Sequence, residues 1–159
     1  MSKTSIEKIF NQLRTSAESV YEELGPGWSE AVYQKAMEVS LRLAGLTYES
    51  YKILPLSYQG FNIGECELDL VIWTDDDPSV GIVVDLKVDS NIKECHDAQV
   101  KRYIQELRKA EQDNRKVHHK GMVIAFGKAS TKKVEYEGDE GVLFRVIDES
   151  ETPDCFSDH

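Results

Sequence analysis

Two stretches of strict alternation on either side of an acidic loop constrain this chain more than any other feature. In the first, Cys66, Leu68, Leu70 and Ile72 fall on one face, with Glu65, Glu67 and Asp69 on the other. Beyond the loop Asp75-Asp76-Asp77-Pro78-Ser79, Ile82, Val84, Leu86 and Val88 share one face, and Val83, Asp85, Lys87 and Asp89 share the other. If the two strands form a hairpin, their apolar faces must coincide. Paired residue numbers then add to an even value, because a one-residue slip turns a strand over. A loop centred on Asp77 predicts Asp69 directly across from Asp85, and Glu67 across from Lys87.

The flanking segments predict the rest of the architecture. Ile6, Ile9, Phe10, Leu13, Ala17, Val20, Tyr21 and Leu24 recur at helical spacing, so residues 1–24 read as an amphipathic helix. Gly25-Pro26-Gly27 ends it, and a second helix opens at Ser29 and runs to Ala44. Ile53 to Tyr58 and a segment starting at Phe61 read as strands joined at Gln59-Gly60. A third helix is expected from Lys93 to about Glu111, with Val100, Ile104 and Leu107 as its apolar line. Lys120–Phe126 and Val142–Ile147 read as two further strands. The fold class is therefore mixed α/β (α+β), one domain over 1–147 followed by an acidic tail, 148–159, expected to be disordered.

Two aspartates opposed across a sheet repel, and Asp is a poor strand former. A bound cation offsets both effects, and hard oxygen ligands with room left for water suit Mg²⁺, with Mn²⁺ able to substitute. Lys87, two residues beyond Asp85, can balance developing negative charge or polarise a water. The alternative is a half-solvated antiparallel sheet whose polar face happens to carry acids.

At this point the sequence resembles a family. Asp69 followed by Asp85-Leu86-Lys87 is similar to the core of the PD-(D/E)XK nuclease superfamily. Gly27-Trp28-Ser29-Glu30-Ala31-Val32-Tyr33 resembles the signature of the small GxxExxY proteins within it. Gln99-Val100-Lys101-Arg102-Tyr103 resembles the Gln-x-x-x-Tyr helix of the RecB-like branch. The resemblance implies a restriction-endonuclease-like core, a central mixed sheet flanked by helices. It implies metal ligation by Asp69, Asp85, the Leu86 carbonyl and Glu30, with Lys87 positioning the attacking water. Gln99 and Tyr103 would support the site or contact phosphate. Leu68 stands where the family name has proline, and Asp85 where glutamate is more frequent. The implied activity is Mg²⁺-dependent cleavage of DNA, with RNA the lesser choice. The rival is a catalytically silent nuclease-fold module that binds nucleic acid or a protein partner. Pairing into a homodimer is compatible with such a fold, although no seam is visible in the sequence.

The net charge of −10 speaks against a general nucleic-acid binder until it is divided along the chain. Residues 101–133 carry ten basic side chains against three acids, a net +7, which leaves −17 elsewhere. Lys101, Arg102, Arg108 and Lys109 lie on the third helix and are the expected phosphate contacts. Cys66, Cys95 and Cys155 have no metal-type spacing and read as free thiols of an intracellular protein. No segment before residue 5 reads as a signal peptide, and no apolar run is long enough to span a bilayer. His118-His119 lacks a third ligand nearby, and Trp28 and Trp73 read as packing residues.

Overall fold

The computed structural model describes residues 3–111, 115–128 and 141–151. Its elements run α1 (Lys3–Leu24), α2 (Glu30–Leu43), β1 (Thr47–Tyr58), β2 (Phe61–Trp73), β3 (Val80–Val88), α3 (Glu94–Ala110), β4 (Lys116–Val117), β5 (Lys120–Phe126) and β6 (Val142–Asp148). The expected tail beyond residue 151, and the basic Lys132 and Lys133, lie outside the described residues. None of the described helices is long and apolar enough to cross a membrane.

The strands form one mixed sheet in the order β1-β2-β3-β5-β6, with the short β4 also paired to β3. β3 and β5 are parallel, joined through α3, while β1/β2, β2/β3 and β5/β6 are antiparallel. Helices cover both faces. α1 and α2 pack Leu13, Ala17, Tyr33, Met37 and Leu41 onto Leu70, Ile72, Ile82, Val84 and Leu86. On the other face α3 packs Val100, Ile104 and Leu107 onto Val71, Val83 and Val123. Each face of β3 is thus buried, which explains why its alternation separates two helix layers rather than core from water.

The Gly-Pro-Gly corner is where the sequence fixes α2. Gly25 and Gly27 adopt φ of 71° and 102°, open to glycine and costly for other residues. Tyr33 Oη donates to the Gly25 carbonyl at 2.6 Å, and its ring stacks on Phe126 at 4.4 Å. Trp28, expected as packing, is half exposed instead. Its indole N–H donates to the Leu24 carbonyl at 2.8 Å, satisfying an orphan acceptor at the end of α1. Ser29 occupies the N-cap position of α2, yet its hydroxyl makes no cap bond.

The β1–β2 hairpin turns at Gln59 and Gly60, both at positive φ, as a two-residue turn matching the strand twist requires. One expectation fails within β2. Leu70 and Ile72 face α1 and α2, but Cys66 and Leu68 pack with Leu54 on the α3 side, so the four do not share a face. The ribbon turns over at Tyr51 and Asp69. Tyr51 sits at φ 50°, and the β1/β2 pairing passes from Ser50↔Leu70 to Lys52↔Leu68 without pairing Tyr51 to Asp69. A bulky residue at positive φ is costly, and here it absorbs the rotation of the hairpin arm.

Candidate active site

The β2/β3 register is the expected one: Leu70↔Val84, Val71↔Val83, Ile72↔Ile82 and Trp73↔Gly81. The ladder then stops. β2 stays with β1 and swings away from β3 at Asp69, so Asp69 and Asp85 meet through side chains rather than as a ladder pair. Glu67, expected across from Lys87, pairs with Ile53 of β1 instead, because the splay has already parted the strands.

The splay leaves amides of β3 without their strand partner, and carboxylates take them. Asp69 Oδ2 accepts from the Leu86 N–H at 2.7 Å. Glu30, in the first turn of α2, accepts from the Val88 N–H at 3.3 Å. A charged acceptor on a backbone N–H is a strong hydrogen bond with a defined direction, so these contacts also aim the two side chains. Gln34, one turn after Glu30, donates its amide to the Asp69 carbonyl at 2.8 Å. Glu30, Gln34, Tyr51, Glu67, Asp69 and Leu86 together line a cleft of about 290 Å³.

Asp85 is the most perturbed group. It is 3% exposed, and its Oδ2 has no aligned hydrogen bond, although Lys87 Nζ lies 3.3 Å away as an ion pair. Burial first, then the charge of Asp69 and a hydrogen bond between the two carboxyls, push its pKa up to about 8. Burial opposes the Lys87 ammonium, but Asp85, Asp69 and Glu30 around it win and raise its pKa. From α3, Tyr103 completes this side. Burial and the nearby Asp85 raise its phenol, and Gln99 donates to its oxygen at 2.7 Å. His96 caps α3: its Nδ1 accepts from the Lys93 N–H at 3.2 Å.

The chemistry of this donor set suits a divalent cation. Two carboxyls forced together, one with a buried and unaligned oxygen, lose their mutual repulsion when a dication replaces the shared proton. Among the described residues no third carboxylate, imidazole or thiolate joins them. Asp69, Asp85 and the Leu86 carbonyl could therefore hold an ion that keeps several waters, as Mg²⁺ does. Glu30 lines the same cleft, and its bond to Val88 uses one of its two carboxylate oxygens.

The basic residues of α3 divide into two pairs. Lys101 is partly buried, Arg102 is exposed, and neither pairs with any described residue. Arg108 is held by Glu149 through two hydrogen bonds of 3.2 Å, and Lys109 by Glu106 at 3.0 Å. Sequence reasoning had no signal for the first of these pairings, which links residues 41 apart. It also missed Gln34, whose partner is a backbone atom.

Residues 7–137 match the model of the PD-(D/E)XK nuclease superfamily. With that match over most of its length, and with this sheet and its splayed aspartates, the chain belongs to the PD-(D/E)XK nuclease superfamily. That superfamily is one of nucleases, which typically use divalent metals. No curated protein matches the chain.

Proposed function

We propose that this protein is a divalent-metal-dependent nuclease hydrolysing phosphodiester bonds of DNA, with RNA as the lesser alternative. One observation carries the reading: the buried Asp85 carboxyl, its pKa raised by the charge of the neighbouring Asp69 and in ion-pair contact with Lys87, behind a cleft that Asp69 and Leu86 line. In this reading Asp69, Asp85 and the Leu86 carbonyl hold Mg²⁺, or Mn²⁺ in its place. An ion held there would supply a water of lowered pKa and offset charge on the scissile phosphate. Lys87 orients that water and stabilises the negative charge that builds on phosphorus-bound oxygen. Glu30 keeps the end of β3 and the wall of the cleft in place, and the Gln99–Tyr103 hydrogen bond fixes the phenol beside Asp85. Lys101 and Arg102 contact flanking phosphates. Within the superfamily, the Gly27 to Tyr33 and Gln99 to Tyr103 motifs support assignment to the GxxExxY proteins and the RecB-like branch.

The test is a cleavage panel over linear, circular, single-stranded and branched DNA with Mg²⁺, Mn²⁺ or EDTA. The reading requires cleavage that EDTA abolishes and that Asp69→Asn and Lys87→Met both lose. A second reading, a silent module that only binds nucleic acid or protein, draws on the neutralisation of Arg108 and Lys109 by Glu149 and Glu106. It predicts no cleavage of any substrate, with binding that survives Asp69→Asn.

A further inference from the structure

A second cavity, of about 740 Å³, opens between the N-terminal half of α1, the turn before β5 and the end of β6. It shares no lining residue with the cleft at Asp69. Met122 and Ile124 face α1 and α2, so Lys120 alternates onto that side, whereas Asp85 and Lys87 follow Val83 toward α3. In the β3/β5 register Asp85 and Lys87 lie beside Val123 and Ala125, further along the strand than Lys120. The cavity therefore lies on the opposite face of the sheet from Asp85 and Lys87.

Its polar lining is rich in donors and short of acceptors. Arg14 and Lys120 can only donate, and neither forms an ion pair with a described residue. Asn11 Oδ1 accepts from Arg14 Nη1 at 3.1 Å, which leaves the Asn11 amide hydrogens free to donate. His118 Nδ1 accepts from the Lys120 N–H at 3.0 Å, so the hydrogen of the neutral ring sits on Nε2. Burial, and then the adjacent His119, hold this imidazole below its ordinary range, which keeps it a neutral donor at pH 7. The turn that carries it is fixed. The His118 N–H donates to the Gly81 carbonyl and the Glu149 N–H to the His119 carbonyl, both at 2.8 Å, and the two imidazoles stack at 4.4 Å. Among the described residues Glu7 is the only acid in the lining, and Asp148 stands 3.9 Å from His119 beside it.

Convergent donors without acceptors fit an anion. Four donor side chains suit the three terminal oxygens of a phosphoryl group, which the Arg14 fork can grip in pairs. The volume exceeds what a bare ion needs and falls in the range of small-molecule sites, with Ile6, Phe10 and Val146 as an apolar wall. We propose that this cavity binds a nucleotide-sized phosphate ester, its phosphoryl group on Arg14, Lys120, Asn11 and His118 and its organic part against Ile6, Phe10 and Val146.

Calorimetric titration of deoxyadenosine 5′-monophosphate into the full chain, in EDTA, tests this. The wild type should bind it saturably, and should bind deoxyadenosine, which lacks the phosphate, at least about 10-fold more weakly. Arg14→Gln and Lys120→Gln should each weaken the nucleotide at least about 10-fold, with melting temperatures near that of the wild type. Glu7→Gln, at an exposed position of α1, should tighten binding, since one acid leaves the lining. A short single-stranded oligonucleotide separates two sources of the phosphate. Competition with the nucleotide assigns it to a strand, and no competition assigns it to a free ester. No heat from the wild type, equal affinity in Arg14→Gln and Lys120→Gln, or weaker binding by Glu7→Gln overturns the proposal. The titration contains no divalent metal and reads no cleavage, so its outcome stands apart from the nuclease reading.

Discussion

Replacing Asp85 with asparagine should stabilise the metal-free protein, and by an amount that grows with pH. Asp85 ionises near 3.8 in an unfolded chain and near about 8 in the fold, where burial and Asp69 both oppose its charge. Between these values unfolding releases a proton, so the stability carried by the neutral carboxyl is whole below 3.8 and lost as pH rises through about 8. The slope is about 1.4 kcal/mol per pH unit, which makes the penalty about 4 kcal/mol at pH 7. Asparagine keeps the shape and cannot ionise. Lys87 loses one partner but retains Asp69 and Glu30 nearby. Thermal melts in EDTA should show Asp85→Asn at least about 10 °C above wild type at pH 8, and level with it near pH 4. Added Mn²⁺ should raise the wild-type melting temperature and leave the variant unmoved. A gain independent of pH, or a variant less stable than wild type at pH 8, would refute the reasoning.

Other expectations follow from single contacts. Tyr33→Phe removes the bond to Gly25 and should cost about 1 kcal/mol by urea denaturation, while cleavage falls through the displaced Glu30. Gln34→Ala frees the Asp69 carbonyl; calorimetry should register weaker Mn²⁺ binding, and wild-type affinity would deny the residue a positioning role. Arg102→Ala should lower DNA affinity and reduce the salt slope by about one. Arg108→Ala should do much less, because Glu149 already holds that guanidinium. Glu149→Ala should instead tighten DNA binding, and unchanged affinity there would show that Arg108 faces no substrate.

The legible and illegible parts of this protein divide along physical lines. The β2/β3 register could be read because the apolar faces of two strands admit only even sums, and Leu70↔Val84 satisfies that rule. The α2 corner and the span of β5 were legible because Gly-Pro-Gly and the apolar run before Gly127 act locally. The splay at Asp69 was not, since it depends on Tyr51 taking a positive φ on the neighbouring strand. Alternation therefore put Cys66 and Leu68 on the wrong side of the sheet. That Asp69, Asp85 and Lys87 come together was legible because their spacing fits two adjacent strands. The roles of Gln34 and Glu149 reside in pairings across 35 and 41 residues, for which the chain carries no local pattern.

Isothermal titration of Mn²⁺ at pH 8 into the wild type, Asp69→Asn and Asp85→Asn tests the central claim most directly. The account predicts saturable binding by the wild type and none by either variant, since each removes one of the two carboxyls that the strand splay brings together. Equal binding by all three proteins, or no heat from the wild type, would contradict it.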